Sequence, residues 1–141
     1  MRRNVLLDTG PLVAYLDHKD TLYDWSRELW KDIEAPLITC ESVISEACFL
    51  LSDVRGGARA VFELLRRQIV TVPFHLADDT LPIATLLNKY SDVPMSVADA
   101  CLVRMAEHFP ESAIFTVDSD FRRYRKHGRQ VIAVIIPDVG D

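Results

Sequence analysis

Short apolar runs alternate along the chain with longer segments of helical periodicity. Val5, Leu6 and Leu7 make a compact aliphatic run, closed beyond Asp8 by Gly10-Pro11, which predicts a buried strand ending at Asp8. Gly10 permits a sharp turn and Pro11 suits a first helical position, so a short helix is expected over 11–16. A second helix is expected over 21–33, where Leu22, Trp25, Leu29 and Ile33 share a stripe while Asp20, Asp24, Glu28 and Asp32 form a solvated flank. Trp25 and Trp30 read as core or edge packing. A strand follows over 36–39, then a helix over 41–52 with Val43, Ile44, Ala47, Cys48, Leu50 and Leu51 as its apolar residues and Gly56-Gly57 as its stop. The pattern continues with a helix over 58–67, a strand over 69–73, and a helix over 76–89 carrying Leu81, Ala84, Thr85 and Asn88 at mixed spacing. Ser96 and Asp99 stand in capping-box register at the head of a helix over 96–107. A fourth strand over 113–117 ends at Asp118, a short helix spans 121–127, and a fifth strand covers 131–136.

This alternation, with no repeat, low-complexity tract or linker, predicts an α/β fold: one three-layer domain over 1–141, its mostly parallel five-stranded sheet in the order 3-2-1-4-5 and flanked by helices. A chain of 141 residues can bury a real core without cross-links. Its three cysteines, Cys40, Cys48 and Cys101, are widely spaced in apolar or helical settings and form no C-x-x-C pair, so buried thiols in a reducing compartment are expected rather than a zinc site. The segment MRRNVLLD has too short an apolar run for a signal peptide, and no stretch approaches the ~18 apolar residues of a membrane span. A cytoplasmic protein without membrane contact is the expectation.

A net charge of −5 does not suggest a nucleic-acid binder, unless the acids gather around divalent cations that invert the local field. The strand pattern favours gathering. Two strands end directly in an acid, at Asp8 and Asp118, and right-handed crossovers make those strands neighbours at the switch point of the sheet. Glu46 and Asp99 lie in the first two turns of helices starting near the same edge, and Glu46, at the border of an apolar stripe, should be partly desolvated. Four such carboxylates repel one another strongly at neutral pH unless some protonate or cations intervene. Oxygen ligands without nearby His or Cys select Mg²⁺ or Mn²⁺ over zinc, the ions that assist in-line displacement at phosphorus. Phosphodiester hydrolysis is the predicted reaction.

The segments LLDTGPLVAYLD, ESVISEACFLL, SVADACLVRMAE and IFTVDSDF resemble the four acidic motifs of the PIN domain, the fold of VapC-like toxin ribonucleases. The resemblance covers nearly the whole chain, in order. It implies that Asp8, Glu46, Asp99 and Asp118 are the catalytic, metal-binding acids and that the Thr9 hydroxyl supports Asp8. Asp120 is either a secondary metal ligand or a cap of the following helix. The resemblance further implies an endoribonuclease, a cognate antitoxin and a homodimer. It leaves open a stand-alone RNA-processing nuclease and a PIN-like module that only docks a protein. Such an antitoxin is expected to cover the cleft with an Arg or Lys.

The densest basic run, Arg122, Arg123, Arg125, Lys126 and Arg129, follows Asp118 directly. Arg122, Arg123 and Arg125 are candidates for holding the RNA backbone, against the simpler reading of a solvated face. His18, His75, His108 and His127 are scattered and receive no catalytic role. Asp8-Thr9-Gly10 also spells the aspartic-protease triplet, but such enzymes are β-rich and use two copies. A phosphatase forming an aspartyl phosphate at Asp8 would want a second Asp where Gly10 stands.

Overall fold

The apolar runs become strands because only a sheet covered on both faces can bury them. In the computed structural model, which describes residues 3–138, β1 (Asn4–Leu7) lies at the centre, with Leu6 and Leu7 fully buried. It pairs in parallel with β2 (Leu37–Ile38) on one side and with β4 (Ser112–Phe115) on the other. Beyond them lie β3 (Val70–Thr71) and, at the far edge, β7 (Val134–Ile135), again in parallel. The order β3-β2-β1-β4-β7 is the expected 3-2-1-4-5 arrangement, and all four pairings are parallel. The first two and last three positions of the 1–141 span lie outside the described residues.

Helices α1 (Thr9–Leu16), α2 (Tyr23–Lys31), α3 (Glu41–Leu50), α4 (Gly57–Arg66), α5 (Thr80–Lys89) and α6 (Val97–His108) surround the sheet. Trp30 stacks on Tyr15 at 4.0 Å and Trp25 tilts against Phe115 at 5.4 Å, so both indoles pack on the core. Cys40 and Cys101 are buried, Cys48 is half-buried, and all three thiols are free.

Several expected elements change. The segment over 131–136 is not one strand: Gln130–Val131 is β6, pairing with β5 (Arg125–Lys126) in a separate antiparallel sheet, and the chain rejoins the main sheet only at Val134. No helix forms over 121–127. A 3-10 turn over Ser119–Arg122 leads into β5 instead, because His127 and Gly128 adopt left-handed φ of 52° and 84°, a turn conformation rather than a helical one. The helix expected over 76–89 opens as a 3-10 turn, Leu76–Asp79, before α5. Its inner face is Ile83 and Leu86, whereas Leu81 is 75% exposed. On α3, Leu50 and Glu46 are exposed, so the buried stripe is narrower than expected and the anticipated desolvation of Glu46 does not occur.

Candidate functional site

The site begins where β1 and β4 stop. Their register sets Leu7 opposite Phe115, and the Asp8 N–H continues the ladder by donating to the Phe115 carbonyl at 3.0 Å. One residue on, the side chains meet: the Thr116 hydroxyl donates to Asp8 Oδ2 at 2.6 Å and accepts the Asp118 N–H at 2.9 Å. One buried hydroxyl thus ties the first strand-end acid to the turn that carries the other. The second oxygen, Asp8 Oδ1, accepts the Thr9 N–H at 2.8 Å at the head of α1. From β2, the Thr39 hydroxyl donates to the Leu7 carbonyl at 2.6 Å and fixes the strand end from the other side.

Two helices bring further carboxylates. Ser96 and Asp99 form a reciprocal capping box at the head of α6, as their spacing predicts. The Asp99 N–H donates to Ser96 Oγ at 3.0 Å, while Asp99 Oδ2 accepts the Ser96 N–H at 3.2 Å and the hydroxyl of fully buried Tyr124 at 3.2 Å. From α3, Glu46 reaches the site through Thr9, whose hydroxyl donates to Glu46 Oε2 at 3.2 Å. The expectation that this hydroxyl supports Asp8 is therefore corrected: Thr9 serves Asp8 with its N–H, and Thr116 supplies the hydroxyl. Asp118 accepts the Asp120 N–H at 2.9 Å and caps the 3-10 turn, so the capping role considered for Asp120 belongs to Asp118. The Asp120 carboxylate lies 3.8 Å from Arg123.

The acids sense one another. Burial pushes Asp8 up from 3.8 to about 6 against its hydrogen bonds from Thr116 and Thr9, and the charges of Asp99 and Asp118 push the same way. Asp99 is also raised, chiefly by burial and then by the Asp118 charge. Burial and the charges of Asp99, Asp120 and Asp118 raise the Tyr124 hydroxyl, keeping it a donor. Asp8, Asp99 and Asp118, far apart in sequence, thus share one electrostatic neighbourhood, and Thr9 links Glu46 to it.

Among the described residues, no group of three or more His, Cys, Asp or Glu side chains closes tightly enough to enclose a metal ion. The carboxylates instead spend oxygens on the donors around them. Glu46 Oε1, Asp99 Oδ1 and Asp118 Oδ2 make no hydrogen bond among the described residues. An all-oxygen donor set with spare lone pairs and mutual repulsion fits a hard divalent cation in type.

The candidate arginines follow Asp118. Arg122 and Arg123 are exposed, and Arg125 is half-buried, its guanidinium donating to the carbonyls of Arg122 at 2.7 Å and Tyr124 at 3.1 Å. Two contributors, Thr116 and Tyr124, were not read from the sequence. Thr116 had a usable signal, standing two residues before a strand-end acid. Tyr124 had none, because its place depends on how the chain turns after Asp118.

No curated protein sequence matches this chain. In structure it is similar to VapC20 of Mycobacterium tuberculosis, described as a sarcin–ricin loop cleaving toxin. The TM-score is 0.75 at 19% identity, over 83% of this chain and 92% of that one. Residues 5–127 match the PIN domain, a span running from the strand that carries Asp8 past the turn that carries Asp118. By that match and this architecture, the chain belongs to the PIN domain family.

Proposed function

We propose that this protein is a Mg²⁺- or Mn²⁺-dependent endoribonuclease that hydrolyses RNA phosphodiester bonds, with Asp8, Glu46, Asp99 and Asp118 as its metal-binding and catalytic acids and Asp120 as a secondary one. The observation that carries this reading is the shared burden on Asp8 and Asp99. Both are raised, chiefly by burial and further by the Asp118 charge, and the Thr116 hydroxyl ties Asp8 to the turn that carries Asp118, so the site favours added positive charge. The chemistry such ions supply when bound is a water acidic enough to attack phosphorus at neutral pH and charge stabilisation at the leaving oxygen.

The chain's own groups do the positioning. Thr116 and the Thr9 N–H fix Asp8, Ser96 and Tyr124 fix Asp99, and the Thr9 hydroxyl steadies Glu46. Arg122, Arg123 and Arg125 would meet the RNA backbone. The likeness to a toxin supports the further reading that this nuclease is the toxin of a toxin–antitoxin pair. It would then work in the cytoplasm as a homodimer, inhibited by an antitoxin that places an Arg or Lys among the acids. A second reading, a protein-docking module, is favoured by Phe49 and Phe62, 76% and 59% exposed on α3 and α4.

The test is cleavage of a panel of single-stranded and structured RNAs, a sarcin–ricin loop hairpin among them. Wild type should cut in Mg²⁺ or Mn²⁺ and not in EDTA, and Asp99→Asn should be inactive throughout. Cleavage that survives EDTA or Asp99→Asn would overturn the proposal. Partner binding without cleavage under either metal would favour the docking module.

A further inference from the structure

The chain holds one surface whose charge opposes its overall balance. Residues 121–137 contain five cations, Arg122, Arg123, Arg125, Lys126 and Arg129, and no Asp or Glu, in a protein of net charge −5. Three of the five, Arg125, Lys126 and Arg129, lie on the β5–β6 hairpin, which stands outside the main sheet. A two-stranded hairpin alone is marginal in water, and three neighbours hold this one. Tyr90 accepts the Arg125 N–H at 3.0 Å, Glu107 accepts the His127 N–H at 2.6 Å, and Lys89 donates to the Gly128 carbonyl at 3.0 Å. All three bonds go to the hairpin's backbone, so the side chains of Lys126 and Arg129 are not needed to keep it in place.

The Lys126 and Arg129 side chains are also unspent. Lys31 and Arg66 pair with acids one turn away on their own helices, whereas Lys126 and Arg129 make no hydrogen bond or ion pair among the described residues. The hairpin grows directly out of Tyr124, which touches Asp99. At about 3.3 Å per residue its tip lies no more than about 13 Å from Tyr124. An RNA strand approaching the acidic centre of an acidic protein is repelled, and fixed cations at that distance would draw it in.

We propose that the β5–β6 hairpin is an RNA-backbone clamp, in which Lys126 and Arg129 bind phosphates a few nucleotides from the bond at the acidic centre. The clamp rests on the ribonuclease reading above and adds a binding surface separate from the carboxylates. It acts on binding, because its cations sit away from the reacting phosphate. Its partner is a polyanion continuous with the scissile bond, which an acidic protein is not.

The test compares wild type with the double variant Lys126→Ala/Arg129→Ala. RNA binding is measured without cleavage, in EDTA, over a range of salt. The plot of log binding constant against log salt should become shallower by about 1.4, since each neutralised phosphate contributes about 0.7 on a single strand. In Mn²⁺, kcat/KM on an RNA of about 20 nucleotides should fall about tenfold with kcat retained. A dinucleotide, too short to reach the tip, should be cut equally by both proteins. Lys126→Arg/Arg129→Lys should restore the salt slope. An unchanged slope and kcat/KM would overturn the clamp, including where the double variant loses an acidic protein ligand instead; so would an equal loss on the dinucleotide. Hairpin-dependent binding of RNA that wild type never cuts would sink the ribonuclease reading and spare the clamp. Cleavage indifferent to the double variant would do the reverse.

Discussion

Asp8 carries the clearest conflict between fold and charge. The residue is 7% exposed and its carboxyl is raised to about 6, mainly by burial. The folded protein therefore holds a proton on Asp8 between about pH 4 and pH 6 that the unfolded chain has released. A raised carboxyl costs stability as pH climbs through that window, and above about pH 6 the penalty is constant at about 3 kcal/mol. Asp8→Asn removes it. In EDTA at pH 7.5 the variant should be up to about 3 kcal/mol more stable than wild type by urea unfolding, and the difference should vanish near pH 4. The same substitution should abolish RNA cleavage. A variant less stable than wild type at pH 7.5 would contradict the assigned burden. The Thr116 hydroxyl partly offsets the burial of Asp8 and also accepts the Asp118 N–H. Thr116→Val leaves both groups short of a partner, so it should lower stability by about 1–3 kcal/mol and cleavage at least tenfold. Thr116→Ser should restore both, which separates the hydroxyl from the packing of the methyl group.

Elements that end at the site are sensitive where two turns press together. Gly10, in the first turn of α1, faces the Val117 side chain so closely that an added Cβ would overlap it. Val117 stands between Thr116 and Asp118, so a shift of its chain to make room would disturb the residues that hold the acids. Gly10→Ala should therefore cost about 1–3 kcal/mol as overpacking and lower cleavage as well, measured by thermal unfolding and RNA turnover. Ser96→Ala breaks the reciprocal cap of α6 at a cost of about 1 kcal/mol, and deprives the Asp99 N–H of its acceptor. Much of this level was legible from the order of residues. An aliphatic run stopped by an acid and a Gly-Pro turn has few alternatives to a buried strand, and the Ser96–Asp99 spacing has a direct backbone consequence. The 125–131 region was not legible, because its composition suits helix or strand and the outcome rests on left-handed φ at His127 and Gly128. Glu46 was placed on the right helix but at the wrong depth: periodicity gives a stripe's direction, whereas its width depends on what packs against it.

At the scale of the molecule, the parallel sheet converts distance in sequence into proximity at one edge. Asp8 and Asp118 are joined through one hydroxyl because β1 and β4 are neighbours, and α6 and α3 bring Asp99 and Glu46 to the same place. Folding alone leaves these acids in mutual repulsion, so any cation that binds the folded edge and not the open chain should stabilise the protein by mass action. Mg²⁺ or Mn²⁺ at about a hundred times its dissociation constant would add about 2.7 kcal/mol, a rise in Tm of about 10 °C for a chain of this size. The gain should be larger at pH 7.5 than at pH 5, because a proton on Asp8 competes with the metal at the lower pH. It should disappear in Asp8→Asn and persist in Lys126→Ala/Arg129→Ala. Thermal unfolding in Mg²⁺, in Mn²⁺ and in monovalent salt of equal ionic strength measures this directly. Identical midpoints in all three at pH 7.5 would mean that this carboxylate edge does not bind divalent cations, and the proposed nuclease chemistry would lose its physical basis.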